Sequence, residues 1–240
     1  MTRLDSLKVK IFADGADFDS IMALYANPLI KGFTTNPTLM RKAGVTDYEA
    51  FARRLAAAVP DRPLSLEVLA DDLPSMQAQA RVVSSWGKNI NVKIPVTTTG
   101  GEFTGPIVAA LSAAGVVVNV TAVFTLEQVA AVTAALHPDT PAIVSVFAGR
   151  IADSGVDPVP LMAEAVRILS ARPKAELIWA SPRELLNVFQ ADAVGCHIIT
   201  VTTDLLAKLK LVGKPLEAFS RETVDMFYTD ARAAGYQINV

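Results

Sequence analysis

The chain predicts an α/β fold, a (β/α)8 barrel of parallel strands with a C-terminal helical extension. Three observations predict it. Eight short β-branched runs occur, amphipathic helical stretches alternate with them, and no Gly/Ser/Pro-rich linker or close repeat interrupts the alternation. Strand–helix alternation implies parallel pairing through right-handed crossovers. Eight units in 240 residues is about 25–30 residues each, as in such barrels. The strands are predicted at 9–14, 32–36, 64–69, 90–94, 116–122, 142–147, 175–180 and 197–202, and helical periodicity marks 48–59, 75–86, 125–136, 158–170 and 183–191. The whole of 1–240 reads as one domain, with 215–237 a helical tail that could close the barrel or pack on another subunit. The competing architecture, a doubly wound open sheet, lacks its signatures: no GxGxxG follows the first strand and no GxxxxGK[ST] occurs.

Composition narrows the function. Half of the residues are apolar (51%) and the net charge is −2, so there is a large core and no basic footprint for nucleic acid or an anionic membrane. No apolar stretch reaches the roughly 18 residues of a membrane helix. The opening Met1-Thr2-Arg3-Leu4-Asp5 runs almost directly into a strand, which predicts no signal peptide and an intracellular, cytoplasmic protein. The lone Cys196, in apolar company, reads as a packing residue in a reducing compartment. With only His137 and His197 and no HExxH or CxxC spacing, neither a metal nor another cofactor is predicted.

Strand parity then sorts the polar residues. In Asn91-Val92-Lys93-Ile94-Pro95, Val92 and Ile94 share one face and Asn91 and Lys93 the other. Both faces of a parallel sheet are covered, so an ammonium there is expensive unless paired. Burial favours the neutral amine, a nucleophile able to condense with a ketone. The plainer alternative is a lysine that reaches solvent or a carboxylate beyond the strand end. Most other strands also end in a polar residue: Asp14, Thr34 and Asn36, Glu67, Asn119 and Thr121, Ser145 beside Phe147, Ser181 just after the seventh, and Thr200 and Thr202. Each has an ordinary alternative, such as a turn or a helix cap for Asp14 and Asn36 and a satisfied core group for Asn119 and Thr121. Their coincidence at the C-terminal ends, where barrel enzymes keep their chemistry, predicts one shared site. Lys93 and Glu67, one strand apart, are its sharpest pair.

Six blocks carry a family resemblance: Ala13-Asp14-Gly15, Thr34-Thr35-Asn36-Pro37, Asn91 to Pro95, Asn119-Val120-Thr121, Phe147-Ala148-Gly149-Arg150 and Ala180-Ser181-Pro182-Arg183. In this order, across residues 8–202, they resemble the transaldolases and the related fructose-6-phosphate aldolases, among the small class I members. The resemblance implies a metal-free Schiff base on Lys93, with Asp14 as acid/base at the C4 hydroxyl and Glu67 relaying protons with Thr121. It also implies that Thr34, Asn36, Asn119 and Ser145 bind the dihydroxyacetone hydroxyls. Glu67 and Phe147 match transaldolases, whereas the aldolase branch typically has glutamine and tyrosine there. A tyrosine would supply a proton to release the three-carbon unit, so phenylalanine favours transfer. Arg150, Ser181 and Arg183 match phosphate-binding positions, helped by free N–H groups where the seventh helix starts. Without the resemblance, Arg150 reads as a surface ion-pair residue and Arg183 as first-turn helix. Pro182 replaces a usual aromatic residue and Trp179 is unusual, which leaves room for another anion, such as a sulfonated sugar. The implied partners are small, phosphorylated sugars, in carbohydrate metabolism of the pentose phosphate type, with a homo-oligomer as the expected assembly.

Overall fold

A computed structural model describes residues 4–238. Its strands are β1 (Lys10–Asp14), β2 (Ile30–Thr34), β3 (Leu64–Glu67), β4 (Ile90–Pro95), β5 (Val118–Val123), β6 (Ala142–Val146), β7 (Ala175–Trp179) and β8 (Ile198–Thr202). Each pairs in parallel with the next, and β8 closes on β1. The helices are α1 (Phe18–Tyr25), α2 (Pro37–Lys42), α3 (Tyr48–Ala58), α4 (Leu73–Ser84), α5 (Gly105–Ala113), α6 (Leu126–Ala135), α7 (Ala148–Asp153), α8 (Pro158–Leu169), α9 (Leu186–Ala193), α10 (Thr203–Leu206) and α11 (Leu216–Ala233). The predicted (β/α)8 barrel is therefore the observed fold, with every predicted strand present and most of them trimmed at an end.

Two separate apolar cores follow from the period-2 geometry of the strands. Outward residues such as Ile11, Leu66, Val92, Val118, Val144 and Leu177 join the helices in one continuous cluster. Inward residues Phe12, Ile143, Ile178, Ala180 and Ile198, with Phe147 packed on them, form a second cluster within the barrel. Phe12 fits because its register partner is Gly32, where a Cβ would lie 2.6 Å from the Phe12 ring. Truncating so buried a ring costs about 3–5 kcal/mol.

Helix entries are locally encoded. Asp17, Asn36, Asp47, Asp72 and Asp157 each accept a hydrogen bond from a backbone N–H in the first turn of the helix that follows, and Thr125 and Gln128 form a capping box. Helix α9 starts at Leu186, not at residue 183 as the periodicity suggested. Pro182 disfavours helical backbone in the residue before it, and Ser181 is left-handed at φ 57°. Helix α11 is amphipathic, yet none of its residues is buried, and Phe219, Val224, Phe227 and Tyr228 are exposed.

Candidate active site

Register places the polar residues in one belt at the C-terminal end of the barrel. Glu67 pairs with Lys93 and Lys93 with Asn119, while Asp14 pairs with Thr34 and Thr202. Lys93 is 8% exposed. Its Nζ donates to the Thr35 carbonyl at 2.7 Å and to Glu67 Oε2 at 3.1 Å. The lysine is buried, as its place in the strand demanded, but it is not unpaired. A carboxylate and a carbonyl compensate its charge, the arrangement a buried ion needs. Thr121 donates to the other carboxylate oxygen, Glu67 Oε1, at 3.3 Å. Lys93, Glu67 and Thr121 thus form one connected group drawn from β4, β3 and β5.

Asp14 lies on the other side of this group. Thr34 Oγ1 donates to its Oδ1 at 2.8 Å. Burial pushes the Asp14 carboxyl above its ordinary range; the charge of Lys93 and the Thr34 hydrogen bond oppose that rise, and Glu67 adds to it. The aspartate therefore shares the electrostatic field of the lysine–glutamate pair. A third group is Asn119, whose Nδ2 donates to Ser65 Oγ at 3.1 Å and whose Oδ1 accepts from Ser145 Oγ at 2.7 Å. Ser65 is fully buried. It escaped the sequence reading because it sits one inward position before the strand end.

The remaining candidates stand apart from these contacts. Asn36 uses its Oδ1 to cap α2 through the Leu39 N–H at 2.9 Å, leaving only its amide N–H groups for a ligand. Phe147 is half-buried between Phe124, 5.8 Å away ring to ring, and the Arg150 guanidinium, 5.3 Å from its ring centre. Arg183 clasps Asp153, with Nε 2.9 and 3.1 Å from the two carboxylate oxygens. This is an ion pair at the surface and not a first helical turn. The free N–H groups foreseen near residue 183 are not free, because Asn187 Oδ1 accepts from both Arg183 N and Glu184 N. Trp179, conspicuous in sequence, is wholly buried on the outward parity of β7 and does not face the barrel interior. Cys196 is a packing residue, its thiol pushed up to about 12 by burial.

Two non-glycine residues among those described have positive φ, Ala122 at 56° and Ser181 at 57°. Ala122 marks the register shift between β5 and β6, immediately after Thr121. Ser181 carries its carbonyl against α7, where a Cβ on Gly149 would lie only 1.4 Å from the Ser181 oxygen. No described helix is long and apolar enough to cross a membrane, and among the described residues no three His, Cys, Asp or Glu side chains are grouped as metal ligands.

A closed (β/α)8 barrel with a buried lysine paired to a half-buried glutamate, and a half-buried aspartate, at the C-terminal ends of its strands defines the class of barrel enzymes. Within that class, the chain belongs to the transaldolase/fructose-6-phosphate aldolase family. The family's sequence pattern, described as "Transaldolase/Fructose-6-phosphate aldolase", matches residues 11–239. A "Probable transaldolase" of Thermoanaerobacter sp. (strain X514) is 36% identical over 231 residues, 96% of this chain and all of that protein. Another, from Dehalococcoides mccartyi (strain ATCC BAA-2266 / KCTC 15142 / 195), is 35% identical over 202 residues, 84% of this chain and 90% of its own length. A "Probable transaldolase 2" of Listeria monocytogenes serovar 1/2a is 33% identical over 220 residues, covering 89% and 95%.

Proposed function

We propose that the protein is a transaldolase that moves a dihydroxyacetone unit from a ketose phosphate to an aldehyde through a Schiff base on Lys93. The observation that carries this reading is the buried Lys93 Nζ, 3.1 Å from a Glu67 carboxylate that Thr121 also holds. Glu67 removes the ammonium proton, and the free amine attacks the ketose C2 carbonyl to give a carbinolamine. Loss of water, relayed by Glu67 and Thr121, leaves a protonated imine. Asp14 takes the C4 hydroxyl proton, the C3–C4 bond breaks, and its electron pair moves into the imine to form an enamine. The aldose leaves. The enamine then attacks the acceptor aldehyde, Asp14 returns the proton, and hydrolysis frees Lys93. A carboxyl whose proton affinity is raised by burial suits this shuttle. Thr34, Asn36, Asn119 and Ser145 supply the hydroxyl contacts, and Phe147 withholds the proton that would discharge the three-carbon unit early. The protein works as a cytoplasmic homo-oligomer of sugar-phosphate metabolism.

One observation favours a variant of this reading. Arg183 is engaged by Asp153 and the backbone N–H groups of residues 183 and 184 by Asn187, so a phosphate bound there would have to displace these partners. A specialised acceptor or donor with another anionic end, such as a sulfonated sugar, rests on Pro182 standing where the family usually has an aromatic residue. Cleavage with release of dihydroxyacetone is the third alternative, against which Glu67 and Phe147 argue.

Borohydride trapping tests the chemistry. Incubated with a ketose phosphate and reductant, the protein gains the mass of a reduced three-carbon adduct, and Lys93→Ala gains none. Absence of an adduct from phosphorylated and sulfonated ketoses alike would leave a binding protein. Product formation without an acceptor aldehyde would favour the cleavage reading.

A further inference from the structure

We infer that Tyr48 is a positioning residue for Glu67, holding the end of β3 where the sheet itself cannot. The inference rests on the lysine–glutamate chemistry proposed above. In the β2–β3 ladder, Phe33 N–H donates to the Pro63 carbonyl at 2.8 Å and Thr35 N–H to the Ser65 carbonyl at 3.4 Å. Every second residue repeats the contact in a parallel ladder, so the next bond would run from residue 37 to the Glu67 carbonyl. Residue 37 is a proline, which has no N–H, and it already forms the first turn of α2. The Glu67 carbonyl would be an orphan at the position where the carboxylate must be held still.

The Tyr48 hydroxyl fills that vacancy, donating to the Glu67 carbonyl at 2.7 Å. Tyr48 is itself fixed. It opens α3 behind the Asp47 cap, and its ring packs against Trp86 with centroids 5.8 Å apart. Burial pushes its phenol pKa upward, so the hydroxyl keeps its proton at working pH. On the other edge of β3, Val68 N–H donates to the Lys93 carbonyl at 3.1 Å. Glu67 is thus tied on one side to the strand that bears Lys93 and on the other to Tyr48, a residue outside the barrel. Tyr48 touches no reacting atom; it acts through the backbone of the proton carrier.

Tyr48→Phe keeps the ring on Trp86 and removes only the donor. The expected result is a kcat lowered about tenfold with the donor KM changed less than about twofold, because a displaced proton carrier slows chemistry without removing a binding contact. The cycle with Glu67→Gln separates positioning from general support. In that background Tyr48→Phe should change kcat by less than about twofold, since the group it positions no longer carries a proton. Losses that multiply, or a kcat unchanged while melting temperature falls, would overturn the inference. A crystal structure of Tyr48→Phe decides it independently of activity: the Glu67–Lys93 contact should lengthen beyond 3.1 Å, and unchanged geometry would overturn it. Failure of the wild type to form a trapped adduct would instead refute the proposed function and leave this structural test standing.

Discussion

Asp14 is half-buried among groups that want opposite things of it. Desolvation raises its carboxyl pKa, and Lys93 and Thr34 only partly compensate. A group whose folded pKa lies above its ordinary 3.8 contributes stability that is complete below that value and lost as pH rises through the folded pKa. Above its folded pKa the ionised aspartate therefore strains the fold it serves. Replacing Asp14 by Asn keeps the size and an acceptor for the Thr34 hydroxyl while removing the buried charge. Asp14→Asn should raise stability by about 1 kcal/mol, or roughly 2–4 °C in Tm for a chain of this size. The same variant should lose most of its transfer activity. Thermal unfolding of both proteins at pH 7 checks the first statement, and a lower Tm for the variant would show that attraction to Lys93 outweighs desolvation. Ala122 and Ser181 show local strain of a different kind, left-handed backbone next to Thr121 and Pro182. Such conformations cost about 1–3 kcal/mol each and persist where the surroundings over-determine them.

Among the elements, the strands were the legible part. Short β-branched runs identified all eight, and period-2 parity gathered the polar residues at their ends because a parallel barrel collects all C-terminal ends at one mouth. The short helices were not legible. Helices α2, α7 and α10 have six, six and four residues, too few for a 3.6-residue period to show. Phe12 was equally hidden, because an aromatic at an inward position looks like outer core until its Gly32 partner is known. Ser65 and Tyr48 were missed for a further reason: each acts through tertiary contacts that no local spacing encodes. The segment after β7 shows the same limit, since the helical pattern from 183 is overridden by Pro182 and by the packing of α7. That packing carries a prediction. Gly149→Ala puts a Cβ 1.4 Å from a backbone oxygen, an overlap no side-chain rotation relieves. The variant should lose about 3 kcal/mol or more, near 10 °C in Tm. A melting curve superimposable on that of the wild type would mean the α7–Ser181 approach is looser than described.

For the molecule as a whole, closure of the barrel depends on its shortest seams. The ladder between β7 and β8 registers only Ile178 with Ile198 and Trp179 with Ile199, whereas β8 meets β1 over five residues. A side chain lengthens the short seam. Leu177 N–H donates to His197 Nδ1 at 3.0 Å, a bond possible only while that nitrogen is unprotonated. Burial lowers the His197 pKa from its ordinary 6.5; Glu176 opposes the shift and Lys10 adds to it, these two being paired with each other at 2.6 Å. Because the folded pKa is the lower one, the unfolded chain takes up the proton more readily. The contribution of His197 is therefore complete above about pH 6.5 and lost as pH falls through the folded value. Protonation would leave the Leu177 N–H without its acceptor, a loss of about 1–3 kcal/mol if the group stays shielded. Asp14 acts with the opposite sign over the acidic range, so total stability is a poor readout. The difference between wild type and His197→Asn is the useful one, since Asn offers a non-titrating oxygen to the same N–H and Asp14 cancels. Calorimetry from pH 7.5 to pH 5 should show the wild type losing stability relative to His197→Asn as the pH falls. A difference independent of pH would mean the β7–β8 seam holds without this imidazole.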